Sequence, residues 1–222
     1  MNRMKTRLAL LASALILSAC AVTPPQPYDY TAFKESKPKS ILVLPPLNET
    51  PDVKASAGMM ASATRPLAES GYYVFPVAVV KETFKQNGLN NPHDIQEVSL
   101  KKLEEIFGAD AVLFITVKQY GTSYQILQSD TRVSAEARLV DGRTGKELWS
   151  GSASASSTEQ QNGNQGLLGM LITAVVQQIA GSVSDKAFDY AQVTGTRLLW
   201  AAYPRSLMFG PHSPHYETQP GK

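Results

Sequence analysis

The spacing of apolar residues changes along this chain, and each spacing predicts a different element. Residues 41–44 and 111–117 are apolar runs, the second broken only by Thr116, and such runs are typical of strands buried on both faces of a sheet. The aromatic and β-branched run at 72–77 predicts another strand. Helices are predicted at 79–86 and 100–107, the second with a serine as its N-cap.

The first helix of this half is predicted to begin at Thr50, whose side chain can cap it, with Pro51 in the first helical position. Gly71 should end this helix, and Pro66 should kink or divide it. Because strands and helices alternate up to residue 117, the pattern indicates βαβ units and a largely parallel sheet.

Further along, the apolar period becomes two. Apolar and polar residues alternate at 131–140 and again at 148–157, so each segment predicts a strand with one buried and one solvated face. The sequence DGRTGK between them contains two glycines, which favours a turn. These segments therefore predict an antiparallel hairpin.

A long helix with a broad apolar stripe is predicted at 167–193, and no residue between Glu159 and Asp185 is charged. Val175 and Ile179 belong to that stripe. Three interpretations stay open: the helix packs on the sheet, its stripe pairs with another copy or a partner, or it inserts into a membrane. The helix also contains glutamines and a serine, and polar groups without partners are costly in lipid, which counts against insertion.

The amino-terminal segment has the layout of a secretory signal, with three basic residues ahead of an apolar run at 8–19. That run is shorter than the roughly 20 residues that a spanning helix needs. Leu17, Ser18 and Ala19 precede Cys20, and this sequence resembles the bacterial lipobox, in which a peptidase cuts before a diacylated cysteine. We therefore predict a signal peptide at 1–19 and a covalent lipid on Cys20, with no other cofactor.

The expected anchor consists of several acyl chains, because a single chain binds a bilayer only marginally. Bacterial lipoproteins generally carry three. Ala21 stands where an aspartate would favour retention in the inner membrane. The sequence therefore predicts a protein held by outer-membrane lipid on the periplasmic face.

The mature chain is predicted to have three parts. Residues 20–40 contain four prolines and no apolar periodicity, so they predict a flexible tether behind the lipidated cysteine. A tether of that length reaches about 60–70 Å when extended. Residues 41–200 form one periplasmic α/β domain, and residues 201–222 form a proline-containing tail that packs across the domain for part of its length.

Composition removes several classes of function. Cleavage of the leader takes away three of 21 basic residues and none of 19 acidic ones, leaving a net charge of −1. Such a balance argues against a nucleic-acid partner. With its only cysteine acylated, the mature chain has no thiol for a disulfide, catalysis or metal ligation.

Candidate catalytic and metal residues are few. His93 is expected in a solvated loop, while His212 and His215 are separated by a proline and lack the further ligands of a zinc site. No G-x-S-x-G elbow is present, and the glycines at 163–169 do not have the spacing of a phosphate loop. We therefore expect no metal site and no enzymatic activity.

Three sequence stretches resemble one group of periplasmic lipoproteins. ILVLPPLNET is similar to the opening strand and loop of relatives of the curli-secretion lipoprotein and of the lipoprotein activators of penicillin-binding proteins. FGADAVLFITV resembles their central strand, and VDGRTGKELWSGSASAS resembles their hairpin. The chain is most similar to a Gram-negative lipoprotein family of unknown function that keeps a related carboxyl tail, represented here by Gly210, Pro211, Pro214 and His215.

This resemblance implies the fold of the TolB amino-terminal domain, a two-layer or three-layer α/β sandwich with a mixed sheet and helices on its faces. It also implies an accessory subunit of an export or envelope-assembly complex, with other periplasmic or outer-membrane lipoproteins as partners. Candidate binding surfaces are the sheet edge, Val175 and Ile179 on the long helix, and Pro211, Pro214 and His215 in the tail; homo-oligomerisation is an additional expectation. The alternative function is regulation of a cell-wall synthase, which a tether of 60–70 Å disfavours; a hydrolase that uses a serine or His93 ranks third.

Overall fold

One six-stranded mixed sheet forms the centre of the protein in this computed structural model, which describes residues 28–125, 128–160, 185–202 and 206–219. The strands are β1 (Ser40–Val43), β2 (Leu47–Asn48), β3 (Tyr73–Val74), β4 (Ala111–Gln125), β5 (Gln128–Asp141) and β6 (Glu147–Ser156). Their order is β3-β1-β4-β5-β6, and β2 pairs with β4. The β1–β3, β1–β4 and β2–β4 ladders are parallel, whereas β4–β5 and β5–β6 are antiparallel.

Helices cover both faces of this sheet. They are α1 (Thr31–Ser36), α2 (Ala55–Glu69), α3 (Val77–Gln86), α4 (Pro92–Gln96), α5 (Leu100–Phe107) and α6 (Lys186–Leu199). The connections from β1 to β3 and from β3 to β4 run in opposite directions along the sheet, so right-handed crossovers place α2 and α3–α5 on opposite faces. The predicted α/β fold with a mixed sheet and helices on its faces is confirmed.

Helix α6 completes the core on the α2 side. It packs against α2 and across β4, β5 and β6. Gly195 makes this close approach possible, because a Cβ atom there would lie 2.9 Å from the carbonyl oxygen of Ser62. On β5 and β6 the residues that face α6 are buried, including Val133, Leu139 and Trp149.

The β5–β6 hairpin confirms the alternation of the sequence. Leu139 pairs with Trp149 and Val133 pairs with Ala155, so the predicted apolar positions share one face. The central strand differs from its prediction, since β4 continues to Gln125 instead of ending at 117 and forms a second hairpin with β5. A β-bulge after Val117 and the polar residues beyond it hide this extension from a search for apolar runs.

The first long helix starts later than predicted. Thr50 and Pro51 are not in α2, which begins at Ala55 after Lys54. Thr50 is engaged in a local turn instead, since its N–H and hydroxyl groups both donate to Asn48 Oδ1, at 2.9 and 2.8 Å. Gly71 follows the helix as predicted, with a φ of 95°, but Pro66 does not divide the helix.

Two shorter elements also differ from their predictions. Only Tyr73–Val74 of the segment 72–77 joins the sheet, and α3 begins at Val77, two residues before the predicted start. The loop predicted around His93 is the short helix α4, whose N-cap Asn91 accepts a hydrogen bond from the His93 N–H at 3.0 Å.

The helix predicted at 167–193 has other bounds in its described part. α6 begins at Lys186, because Asp185 is extended and its carboxylate accepts from the Ala187 N–H at 3.2 Å. The helix ends at Leu199 and not at Val193. Val175 and Ile179 lie outside the described residues. Within the described ranges, no helix combines the length and apolar character needed to cross a bilayer.

The tether prediction is wrong for residues 28–40, which belong to the folded domain. Helix α1 lies within this segment, and Tyr30 and Phe33 are buried in the core. A helix as short as α1 is unstable alone, and the free energy gained by burying these two aromatic side chains compensates for its low intrinsic helix stability. Residues 28–40 are therefore part of the folded domain.

Candidate functional site

The carboxyl-terminal tail, residues 206–219, is docked along α1 and the corner between α2 and β3. Its path is irregular, as its prolines predict, but Leu207 and Met208 are almost completely buried. The tail is thus an integral part of the domain surface. It brings the last described segment of the chain against α1, near the first described residue.

A crossing of two glycines brings the tail backbone against the α2–β3 corner. The Gly210 N–H donates to the carbonyl oxygen of Ser70 at 2.8 Å, and the His212 N–H donates to that of Gly71 at 3.1 Å. A Cβ atom at Gly71 would lie 2.3 Å from the Ser213 nitrogen, and one at Gly210 would lie 2.4 Å from the Gly71 oxygen. The crossing therefore requires glycine at both positions.

Two buried tyrosines hold the tail from the other side. The Tyr72 hydroxyl donates to the carbonyl oxygen of Met208, and the Tyr30 hydroxyl donates to that of Ser206, each at 2.5 Å. Burial raises the pKa of Tyr72 well above its ordinary value of 10.0, so its hydroxyl keeps the proton that it donates. These contacts link the tail to β3 and to the segment before α1.

The amide of Gln219 closes the tail on itself. Its oxygen accepts from the Phe209 N–H at 2.7 Å, and its nitrogen donates to the Phe209 carbonyl oxygen at 3.0 Å. The ring of His215 lies against that of Phe209, with 5.1 Å between their centroids. The tail thus presents a preformed turn rather than a loose strand.

Helix α1 is fixed to the turn between β5 and β6. The Ser36 hydroxyl donates to Asp141, whose carboxylate also accepts from the N–H and hydroxyl groups of Thr144, at 2.7 and 2.9 Å. Burial by itself would favour the neutral acid, but these hydrogen bonds outweigh it and hold the pKa of Asp141 below its ordinary value. A surface ion pair between Lys146 and Glu35, at 3.1 Å, lies beside them.

Between α1 and the tail lies a small, half-open groove with room for little more than a water molecule, which we call the tail groove. Phe33, Pro38, Met208 and Phe209 give it an apolar floor, and Lys34 and Lys37 line its α1 side. Neither lysine makes an ion pair within the described part of the chain. The tail groove therefore combines buried apolar surface with two positive charges.

Lys37 adopts an unusual backbone conformation. It follows α1 with φ 47° and ψ 55°, the left-handed region in which glycine usually ends a helix. Among the described residues other than glycine, it alone has a positive φ. A lysine in this position keeps a positive charge beside the groove at some conformational cost.

We expect Lys37→Gly to raise the free energy of unfolding by about 0.5–1 kcal/mol, because glycine adopts this conformation without steric strain. Equilibrium denaturation of the mature protein measures the change. Lys34→Gly is the control, since Lys34 is helical and its replacement should destabilise the protein by about 1 kcal/mol. A loss of stability in both variants would contradict a strained Lys37.

Comparison with known proteins identifies the family of this chain. The GNA1162-like lipoprotein family matches residues 28–212, from the first described residue into the docked tail. The chain belongs to the GNA1162-like family. This finding confirms the lipoprotein family that the sequence predicts.

Two Neisseria meningitidis relatives of this GNA1162-like chain support the same assignment. It is 56% identical over 217 residues to the lipoprotein NMB1124/NMB1162 of Neisseria meningitidis serogroup B, covering 98% of this chain and 100% of that protein. The crystal structure of lipoprotein GNA1162 from Neisseria meningitidis is 66% identical and covers 65% of this chain and 100% of its own, with a TM-score of 0.53. The LpoB C-terminal domain from Escherichia coli is 18% identical, with 63% of this chain and 92% of that domain covered and a TM-score of 0.38.

The structure places some of the predicted site residues of this GNA1162-like chain in the tail. Pro211 is half-buried beside the glycine crossing, whereas Pro214 and His215 are exposed at the tail surface. Cys20 and the lipobox residues Leu17, Ser18 and Ala19 lie outside the described residues, as do Val175 and Ile179. The tail candidates are therefore together, but nothing described joins them to the long-helix candidates.

Sequence reasoning missed the groove and the two tyrosines, Tyr30 and Tyr72, that hold the tail. One signal was available: Tyr28, Tyr30 and Phe33 place three aromatic residues in a segment otherwise interpreted as a tether. Closely spaced aromatic residues are typical of buried segments and not of solvated linkers.

Proposed function

We propose that this protein is an outer-membrane lipoprotein, acylated at Cys20, that acts as a non-enzymatic accessory subunit of an export or envelope-assembly complex. The observation that carries the proposal is the combination of a lipobox-like leader with a domain that begins only eight residues after Cys20. Those eight residues reach about 26–29 Å when fully extended. The domain is then held near the membrane that carries its lipid.

This short reach affects the choice between the two candidate functions. A regulator that acts on a cell-wall synthase from the outer membrane needs a long extension, and the earlier figure of about 60–70 Å assumed that residues 21–40 were a tether. With α1 folded onto the domain, most of that length is lost. The accessory role at the anchoring membrane is therefore favoured.

Partner binding through the edge of β6 receives less support than binding through other surfaces. The Tyr28 hydroxyl accepts from the Ser150 N–H at 2.9 Å, and Arg197 donates to the carbonyl oxygen of Ser154 at 2.5 Å. Side chains thus occupy backbone groups at two points of this edge, which obstructs pairing with an added strand.

The opposite edge of the sheet offers an aromatic surface for a protein partner. Tyr73 on β3 is 54% exposed and packs edge-on against Phe75, which in turn contacts Phe107. Aromatic residues that remain half-exposed are enriched at protein interfaces. This edge and the exposed tail residues Pro214 and His215 are the described surfaces that best suit a partner subunit.

Site-directed photo-crosslinking in cells tests the proposed function. A photo-reactive amino acid is placed at Tyr73 in one variant, at His215 in a second and at Lys85, an exposed position near the end of α3, as a control. We expect adducts with another envelope lipoprotein from Tyr73 or His215 and none from Lys85. Adducts with a peptidoglycan synthase would favour the alternative function, and equal labelling from all three positions would count against either docking surface.

Self-association through the segment outside the described residues is a separate proposal. If the apolar stripe pairs with a second copy, Val175→Asp or Ile179→Asp should give a folded monomer, because burying an unpaired carboxylate in an apolar interface costs free energy. Light scattering and circular dichroism measure mass and folding. Unfolding of both variants would instead assign these residues to the core of one subunit.

A further inference from the structure

The β-bulge in β4 changes which backbone groups lie at the outer edge of this strand. Before the bulge, odd-numbered residues face β2, and the carbonyl oxygen of Val117 accepts from the Glu49 N–H at 3.0 Å. The bulge adds one residue to β4 and none to β5, so the two sets of alternate residues exchange sides beyond it. Tyr120, Thr122 and Tyr124 therefore point their N–H and C=O groups away from β5.

Hydrogen bonds of β5 agree with this orientation. Thr131 turns its N–H to the side opposite β4, where it donates to the hydroxyl oxygen of Ser157 at 3.0 Å. The next residue, Arg132, must therefore face β4, where it pairs with Gly121. Because the backbone groups of Gly121 are used inside the β4–β5 ladder, those of the neighbouring Thr122 lie at the outer edge.

The outer edge of residues 119–125, which we call the distal edge, is open in the described part of the chain. Glu49 makes the last backbone hydrogen bond to this side of β4, and no described backbone group bonds to it beyond Val117. The carboxylate of Asp52 lies 3.8 Å from the Cβ position of Gly121, but it accepts a hydrogen bond from its own loop, at 2.8 Å. The N–H and C=O groups of the distal edge are thus available to another strand.

The distal edge lacks the features that commonly protect strand edges, which are short length, lysine and proline. The β3 edge is only two residues long, and side chains of Tyr28 and Arg197 bind the β6 edge. Between Lys118 and Asp130 the chain contains neither a charged residue nor a proline. Lys118 itself is engaged in ion pairs of 3.0 and 3.5 Å with two glutamates. Such an edge favours pairing with an added strand.

We propose that the distal edge pairs antiparallel with the distal edge of a second copy of this chain, about a two-fold axis at Thr122. In this register Tyr120 of one copy lies opposite Tyr124 of the other, and Thr122 lies opposite its own equivalent. The three outward-facing residues then all form hydrogen-bonded pairs. Each such pair exchanges two hydrogen bonds, so the contact between the two strands contains about six.

Two properties of the distal edge favour a second copy as its occupant. The edge is uncharged, so identical residues can lie opposite each other without repulsion, and the β-branched Thr122 side chains pack as a pair across the axis. Beyond the pairing of Arg132 with Ser156, the sheet narrows to β4 and β5, and a two-stranded hairpin is only marginally stable in water. A second copy converts both hairpin ends into one four-stranded ribbon. This contact is separate from the stripe that contains Val175 and Ile179.

Single-cysteine variants of the full-length protein test the register in cells treated with a copper–phenanthroline oxidant. Thr122 and its equivalent have Cα atoms about 5.5 Å apart in the proposed pair, within the range that a disulfide spans. Ser123 and its equivalent are diagonal neighbours about 7–8 Å apart, outside that range. We therefore expect Thr122→Cys to give at least about tenfold more disulfide-linked dimer than Ser123→Cys on a non-reducing gel.

Two controls make the crosslinking result decisive. Ser152→Cys introduces a thiol at an exposed position on β6 and should give no dimer, and the wild type detects any crosslinking through Cys20. Equal dimer from all three cysteine variants, or none from Thr122→Cys, would overturn the proposed pairing. A disulfide from Thr122→Cys to a different protein would assign the distal edge to another partner and would also overturn it.

A charge variant measures the strength of the contact in the purified lipoprotein in detergent. Thr122→Lys places two like charges opposite each other, so it should raise the dissociation constant of the dimer about fivefold or more at low salt. Ser152→Lys adds the same charge away from the axis and should leave the constant unchanged. Light scattering gives the mass, and circular dichroism shows whether each variant is folded; if Thr122→Lys unfolds, the crosslinking result decides.

The mass measurements also separate this contact from association through the apolar stripe. Folded Thr122→Lys protein with the dissociation constant of the wild type would refute pairing at the distal edge. A monomeric wild type at every concentration measured, together with no crosslinking of Thr122→Cys in cells, would refute it as well. Loss of the dimer in Val175→Asp but not in Thr122→Lys would assign self-association to the stripe and not to the distal edge.

Discussion

Replacing Cys20 by serine should remove the protein from the outer membrane. The lipid-dependent peptidase cuts before a diacylated cysteine, so Cys20→Ser should keep residues 1–19 and carry no acyl chains. Each buried methylene contributes about 0.8 kcal/mol, and even one acyl chain gives a partition constant near 10⁴ M⁻¹. Loss of all chains should therefore lower partitioning into the outer membrane by a factor of about 10⁴ or more. Membrane fractionation and intact mass together measure the effect.

Two further variants make this expectation specific. When residues 1–20 are replaced by a cleavable leader without a cysteine, the remaining chain should be released into the periplasm as folded protein, because the described domain begins at Tyr28. Ala21→Asp should retain the lipid and shift the protein to the inner membrane. Outer-membrane attachment of the Cys20→Ser protein would refute the anchor and, with it, the proposed function.

The second large effect is expected at the glycine crossing, where Gly71→Ala should destabilise the protein by about 2–4 kcal/mol. Gly71 has a φ of 95°, and an added Cβ would lie 2.3 Å from the backbone nitrogen of Ser213. The backbone strain costs about 1–2 kcal/mol, and displacement of the tail adds the rest. Denaturation gives the free energy of unfolding, and limited proteolysis detects release of residues 206–219.

Gly88→Ala is the matched control for this substitution. Gly88 has a φ of 80°, and a Cβ atom there would meet nothing within 4 Å, so only the backbone strain of about 1–2 kcal/mol is expected. Gly210→Ala tests the steric clash alone. Gly210 does not have a left-handed backbone, but its added Cβ would lie 2.4 Å from the Gly71 oxygen. Proteolysis should detect tail release in Gly71→Ala and Gly210→Ala only; an intact tail in both would show that the crossing does not hold it.

The docked tail couples parts of the domain that are far apart in the sequence. Tyr30 and Tyr72 are 42 residues apart in the chain, yet both donate to tail carbonyl oxygens, at Ser206 and Met208. Removing one of these hydroxyl groups leaves a carbonyl oxygen without its partner, which costs about 1–3 kcal/mol in a buried site. Damage to the tail should therefore also loosen α1 and reshape the tail groove.

The sequence by itself determined the class of the fold and several of its elements. Apolar runs of the β1 and β4 cores, the period of two in β5 and β6 and the serine cap of α5 act over a few residues, so they can be detected without knowledge of distant partners. The lipobox-like tetrapeptide is equally local, and it supports the predicted anchor. Local signals of this kind also identified the lipoprotein family.

Only the tertiary structure decided where the domain begins, how far β4 extends and what the tail does. α1 is a six-residue helix that would be marginal alone, and it forms because Phe33 is buried against the domain. The polar half of β4 becomes a strand because β5 satisfies its backbone hydrogen bonds, and the tail is ordered by Gly71 and Tyr72, more than a hundred residues upstream. Such long-range burial and hydrogen bonding have no periodic signature in the sequence, and for that reason the tail groove could not be predicted from it.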